Sequence, residues 1–131
     1  RISTQPDLIL DGAHNPNGAE ALRKALDKYY PGKPVHFVFG MMGDKDMGGV
    51  IDILIKENDI VYAVRADQGD RAAEAEALAK QIGEKAIPMP DLRAAYHKAL
   101  DSAGQDGVVV VCGSLYLVGE FKKMLAAEKL S

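Results

Sequence analysis

The chain has no tryptophan, one cysteine and 6% aromatic residues in 131 positions. A lone thiol, Cys112, excludes an internal disulfide and a cysteine-built zinc set, and it points to a reducing compartment. The three histidines, His14, His36 and His97, are dispersed along the chain, so no metal-ligating cluster is expected. No apolar run approaches the roughly 20 residues that cross a bilayer, and the first residues carry no signal-peptide pattern. The expected location is the cytoplasm, with no membrane partner. An excess of one charge is lacking too. Sixteen basic and 19 acidic residues leave a net charge of −3, which gives no electrostatic footprint for nucleic acid. Internal repeats and low-complexity segments are absent. The chain opens on Arg1 with no methionine, which suggests a piece of a larger protein.

What is present is an ordinary globular composition, 47% apolar and 27% charged, at a length that suits a single domain over 1–131. Five apolar segments predict strands: Leu8 to Leu10, Val35 to Phe39, Ile60 to Val64, Lys85 to Ile87 and Val108 to Cys112. Several are continuous apolar runs, as in strands covered on both faces. Between them the period turns helical. The stripes are Ala19, Leu22, Leu26 and Tyr29; Met47, Val50, Ile51, Leu54 and Ile55; Ala75, Leu78, Ala79 and Ile82; Leu92, Ala95, Tyr96 and Ala99; and Leu117, Phe121, Met124 and Leu125. Asn15 before Pro16 reads as an N-cap followed by proline at N1, and Asp70, Asp91 and Ser114 are candidate caps of later helices. The alternation predicts an α/β fold: a Rossmann-like, mostly parallel sheet of five to six strands with helices on both faces. Arg1-Ile2-Ser3 would be the remnant of a sixth, irregular or antiparallel edge strand.

Parallel strands send all their following loops to one edge of the sheet. Asp11 to Asn15, Gly40 to Asp46, Arg65 to Asp70 and Gly113-Ser114 should therefore share one rim, where ligands of open α/β sheets bind.

The first of these loops, Asp11-Gly12-Ala13-His14-Asn15-Pro16, joins a strand to a helix. A plain turn needs only Gly12 and a capping Asn15. Asp11 and His14 exceed that need, and an imidazole can donate to phosphate or ribose oxygens or accept a proton. The second loop, Gly40-Met41-Met42-Gly43-Asp44-Lys45-Asp46, sets one cation between two carboxylates among glycines that let backbone approach a ligand. By itself it reads as a solvated loop with local ion pairs, and it is no Walker A motif. The third, Cys112-Gly113-Ser114-Leu115-Tyr116, places a hydroxyl and backbone N–H groups at a helix start, where anions bind. Ser114 serves equally as an N-cap. It is no nucleophile, because Gly-Ser-Leu-Tyr is not the Gly-x-Ser-x-Gly elbow. Arg71 suits either substrate binding or a helix surface. His36 and His97 read as structural, the scattered methionines as core filling, and Glu74-Ala75-Glu76 and Lys122-Lys123 as solvated helix faces.

Asp-Gly-Ala-His-Asn-Pro, the Gly-x-x-x-Asp-Lys-Asp loop and Gly-Ser-Leu-Tyr, in that order, resemble the C-terminal domain of the folylpolyglutamate synthase/dihydrofolate synthase family of Mur-type ATP-dependent amide ligases. The resemblance extends along essentially the whole chain. It implies a domain of an enzyme that adds L-glutamate to dihydropteroate or folate through an acyl phosphate, with ATP and Mg²⁺ as cofactors. The P-loop and the magnesium ligands would belong to a missing central ATPase domain, the partner in cis, and this part alone would be inactive. Carried onto this sequence, Asp11, His14 and Asn15 would face ATP. Lys45, Ser114 and Gly113 would hold glutamate, with Asp44 and Arg71 as further contacts. Two readings compete: the C-terminal domain of a Mur ligase acting on a cell-wall precursor, and a free-standing nucleotide- or amino-acid-binding module. A Rossmann dehydrogenase is disfavoured, since the first loop cannot supply Gly-x-Gly-x-x-Gly.

Overall fold

The computed structural model describes residues 6–43, 47–66 and 72–130. Strands β1 (Asp7–Asp11), β2 (Val35–Phe39), β3 (Ile60–Ala63), β4 (Ala86–Pro88) and β5 (Val108–Cys112) alternate with helices α1 (Pro16–Tyr29), α2 (Met47–Leu54), α3 (Ala75–Ile82), α4 (Leu92–Ala103) and α5 (Leu115–Leu130). The five strands form one sheet in the order β1-β5-β2-β3-β4, and every pairing is parallel. The expected α/β fold is therefore present with five strands. The segment Arg1-Ile2-Ser3, read as a sixth, lies outside the described residues.

Strand periodicity assigns each side chain to a layer. Val35, Phe37 and Phe39 of β2, Val61 and Ala63 of β3, and Val108, Val110 and Cys112 of β5 pack under α1, α2 and α3. Their neighbours Val38, Tyr62, Val109 and Val111 face the other way, under α4 and α5. Because β5 is covered on both sides, all five of its residues, Val-Val-Val-Val-Cys, are buried. The helical stripes fill the same two layers, with one correction. Tyr29 closes the α1 stripe by spacing, yet it is 68% exposed, with the Lys28 ammonium 5.5 Å from its ring centre. It is the last residue of the helix, beyond the reach of the sheet.

Helix ends follow the sequence in two clear cases. Asn15 Oδ1 accepts the Gly18 N–H at 2.8 Å and Asp91 Oδ1 the Ala94 N–H at 2.8 Å, each from an extended cap residue. The third helix departs from expectation. Its N-cap is Glu74, which makes no side-chain capping bond, so Asp70 is not the residue that starts it. Glu74 and Glu76 are exposed, as read; the Glu74 carboxylate pairs with Arg65 at 2.8 Å, while Ala75 between them is buried.

The strand order sets the position of the site. The chain leaves β1 and β2 toward the α1–α3 layer but leaves β5, which lies between them, toward α5 on the opposite layer. Loops diverging from adjacent parallel strands open a crevice at the carboxyl edge, and such a switch point is where open α/β sheets take ligands.

Candidate functional site at the carboxyl edge of the sheet

Asp11, Cys112 and Phe39 stand side by side in register at the ends of β1, β5 and β2. Beyond them three loops pack closely. Gly113 has φ +103, and a Cβ there would strike the Gly40 carbonyl oxygen. Gly40 in turn has the Val64 carbonyl oxygen 2.7 Å from where its own Cβ would stand, and the Leu115 side chain occupies the space beside Gly12. Glycine at 40 and 113 is thus required by the approach of one backbone to another.

Within the first loop, Asp11 Oδ1 accepts the Ala13 N–H at 2.8 Å. His14 Nδ1 lies 2.8 Å from the Gly12 carbonyl oxygen, and its ring is otherwise exposed. At the other side Ser114, 2% exposed, accepts the Tyr116 N–H on Oγ at 3.1 Å, and its carbonyl accepts from Val118. It is an N-cap, as expected. The loops after β2 and β3 are tied at their bases: Met42 and Ala72 form an antiparallel bridge, and the Ala73 N–H donates to the Met41 carbonyl at 2.9 Å.

The crevice at the switch point is a shallow cavity of about 130 Å³ lined by His14, Met41, Met42, Gly113, Ser114, Leu115 and Tyr116. It brings together three residues picked from the sequence: His14 from the first loop, and Gly113 and Ser114 from the last. Asp11 and Asn15 lie on the same rim but not among the lining residues, and the Asn15 Oδ1 is committed to its cap. Lys45, Asp44 and Arg71 lie outside the described residues. The helix that follows Arg71 in the sequence starts at Ala75. Sequence reasoning missed the apolar half of the lining. Met41 and Met42 read as core filling, and Leu115 and Tyr116 only as part of a motif. The available signal was an apolar pair at the first turn of a helix, where the structure leaves Leu115 66% and Tyr116 63% exposed.

Cys112, His36 and His97 are not among the residues that line the crevice. Burial, reinforced by the Asp11 carboxylate, pushes the Cys112 thiol far up, so it is an inert core side chain. His36 is buried in β2, its Nδ1 without a hydrogen-bond partner among the described residues, and burial holds its pKa below the usual value. His97 lies on the surface of α4, 3.6 Å from a Glu128 carboxylate that also accepts from Arg93 at 2.9 Å.

An open parallel sheet with glycine-packed loops around a switch-point cavity places the chain in the class of Rossmann-like α/β domains. Comparison with known proteins specifies it further. The family model of the Mur ligase glutamate ligase domain matches residues 1–115. The folylpolyglutamate synthase of Lacticaseibacillus casei is 30% identical over 98% of this chain and 29% of its own length. The dihydrofolate synthase/folylpolyglutamate synthase of Escherichia coli K12 is 30% identical over 98% of this chain and 30% of its own. Among solved structures, Escherichia coli FolC in complex with DHPP and ADP superposes with a TM-score of 0.86 at 30% identity, covering 93% of this chain and 29% of that one. A bifunctional folylpolyglutamate synthase/dihydrofolate synthase with Mn, AMPPNP and L-glutamate bound superposes with a TM-score of 0.81 at 36% identity, covering 95% and 30%. The chain belongs to the Mur ligase glutamate ligase domain family. It spans about 30% of the length of the relatives it matches.

Proposed function

We propose that this domain is the glutamate-handling part of an ATP-dependent ligase that joins L-glutamate to dihydropteroate or to a folate through an acyl phosphate. The observation that carries this reading is the switch-point cavity, which unites His14 with Gly113 and Ser114. Support for the substrates comes from relatives whose structures hold ADP, AMPPNP with Mn, or L-glutamate.

In this reading the first loop forms the nucleotide side of the rim. Asp11 accepts from ribose hydroxyls, and His14 and Asn15 flank it. Gly113, Ser114 and Lys45 form the glutamate side, where the Lys45 ammonium and the N–H groups at the α5 start meet carboxylates, with Asp44 and Arg71 as outer contacts. ATP supplies the phosphoryl group that activates the acceptor carboxylate. Mg²⁺ would be held mainly elsewhere in the longer chain, as the family resemblance implies. The domain positions glutamate so that its amine faces the acyl phosphate, and closure on the ATPase domain in cis excludes water. Its partners are small molecules, not nucleic acid or membrane, and its place is the cytoplasm. Among the described residues no helix is long and apolar enough to cross a membrane.

The test is ligation by the full-length protein. With ATP and Mg²⁺, labelled glutamate should pass to dihydropteroate or a reduced folate. Transfer only onto a cell-wall precursor would instead make this a peptidoglycan-type ligase. Binding of nucleotide or glutamate without any ligation would make it a free-standing binding module.

A further inference from the structure

We infer that Glu74 and Arg65 are positioning residues for the ligation: their ion pair clamps the segment before α3 onto the loop after β2 and so holds Met41 and Met42, one wall of the rim cavity. This rests on the ligase reading above and adds to it a device that pre-organises the glutamate side.

The sequence at the start of α3 breaks a local rule. N-cap positions favour Ser, Thr, Asp or Asn, whose short side chains accept an N–H of the first turn. Glu74 stands there in extended conformation and makes no such bond. Its carboxylate reaches back instead to Arg65 Nη1, at 2.8 Å. A helix that gives up its cap for a contact elsewhere marks a place where more than local stability is served.

The backbone between the two residues shows what the contact serves. Arg65 follows β3 and Glu74 precedes α3, so the pair closes the span 65–74 at its base. Ala72 forms an antiparallel bridge with Met42, and the Ala73 N–H donates to the Met41 carbonyl at 2.9 Å. The segment 72–74 therefore lies across the loop after β2, outside the parallel sheet. One bridge and one hydrogen bond make a small unit, of the kind that opens locally. The ion pair adds a third tie, at the residue next to Ala73.

The residues held in this way belong to the cavity. Met41 and Met42 line it together with Gly113 and Ser114, and a Cβ at Gly113 would stand 3.1 Å from Met41 Cγ. A ligand that needs the closed wall binds more weakly in proportion as the wall is open. Once bound, it keeps the wall closed and the chemical step is unaffected. The signature is a raised KM at constant kcat. The Arg65 and Glu74 side chains are 30% and 61% exposed, so the pair has the modest strength of a surface contact, roughly two- to fivefold in an equilibrium.

The experiment uses the full-length protein with ATP, Mg²⁺ and dihydropteroate, and varies glutamate. Glu74→Ser supplies the missing cap while removing the ion pair, which pulls stability and function in opposite directions. The melting temperature should hold or rise. The glutamate KM should rise roughly two- to fivefold, with kcat and the ATP KM unchanged. Arg65→Met should raise the glutamate KM as well, and adding Glu74→Ser to it should change nothing further. Without substrates, hydrogen exchange at the Ala73 amide should quicken in Glu74→Ser. A glutamate KM in Glu74→Ser equal to the parent's would overturn the proposal, as would multiplying effects of the two substitutions. Unaltered exchange at Ala73 would remove the clamp itself, whatever the reaction. If the parent protein ligates nothing although Ala73 exchange does quicken, the ligase reading falls and the positioning role with it.

Discussion

Arg23 of α1 and Asp59, just before β3, meet in a buried ion pair at 2.7 Å, at the edge of the sheet opposite the functional rim. Asp59 also accepts the N–H groups of Val35 at 2.9 Å and Lys56 at 2.8 Å. Arg23 donates further to the Leu54 carbonyl at 3.0 Å and to Asp27. One pair of side chains thus ties α1, the end of α2, and the starts of β2 and β3.

A buried pair that loses one member leaves an uncompensated charge, a cost of about 3–5 kcal/mol. Asp59→Ala should approach the upper figure, since it also orphans two backbone N–H groups. Arg23→Ala should cost less, because Asp59 keeps both. Urea unfolding of the two variants checks this, and a loss below about 1 kcal/mol for Asp59→Ala would contradict the burial described.

Glycine substitutions should separate strain from collision. Gly32 and Gly113 both have positive φ, but only Gly113 faces another backbone, the Gly40 carbonyl, where a Cβ would stand. Alanine at either position meets backbone strain of about 1–3 kcal/mol. At 113 the collision comes in addition. The melting temperature of Gly113→Ala should therefore fall well below that of Gly32→Ala, and only the former should weaken glutamate use by the full-length protein. Equal melting temperatures would refute the close approach.

His36 makes stability depend on pH in a fixed direction. Burial lowers its folded pKa, only partly offset by Asp59, so the folded state prefers the neutral ring. The unfolded chain binds a proton near pH 6.5, where the folded one does not. This contribution is full above about pH 6.5 and is lost as pH falls toward the depressed folded value, with a slope of at most about 1.4 kcal/mol per pH unit. His36→Gln should lower the acid sensitivity between pH 7.5 and 5.5 in denaturant titrations. An identical slope in the variant would mean that other groups carry it.

Much of this was legible because a parallel sheet writes its strands as apolar runs and its rim as the residues that follow them. Val108 to Cys112 and Asp11 to Asn15 could be placed on that basis alone. The Arg23–Asp59 pair could not, since α1 spacing makes Arg23 an ordinary polar position and nothing local announces a partner 36 residues away. The start of the third helix was misplaced because an aspartate before an apolar stripe imitates a cap, while Glu74 fills the position without making the capping bond. The apolar lining of the cavity stayed hidden for a different reason. Leu115 and Tyr116 read only as part of a motif, and the structure leaves them exposed at the rim.

Lys45 and Ser114 should respond differently in the full-length protein. Removing a charge-assisted contact to a carboxylate costs about 1.5–3 kcal/mol, so Lys45→Ala should raise the glutamate KM ten- to a hundredfold with the ATP KM little changed. Ser114→Ala should cost less, since N–H groups at the α5 start remain, but it should also lower thermal stability through the lost bond to the Tyr116 N–H. Kinetics with glutamate and ATP varied separately, together with melting curves, would decide. A glutamate KM unmoved by Lys45→Ala would leave that residue a loop ion pair.

The isolated 131-residue domain should fold but neither hydrolyse ATP nor ligate glutamate, and it should bind either no tighter than about millimolar, about −4 kcal/mol. Turnover by a preparation free of contaminating ligase would overturn the assignment of phosphoryl chemistry to the rest of the longer chain.

The strand order also has a consequence for synthesis. Among the described residues, β1 pairs only with β5, roughly 100 residues further along the chain, from Asp7 against Val108 to Asp11 against Cys112. As the chain leaves the ribosome, β1 has no partner among the described strands while β2, β3 and β4 emerge. The sheet has no middle until Cys112 is out. Pairing over that separation is slow, and an unpaired apolar strand is exposed to wrong partners in the meantime. A ribosome stalled before residue 108 would therefore hold two separate strand groups, and the crevice between His14 and Ser114 would form only once β5 and the turn after it had emerged.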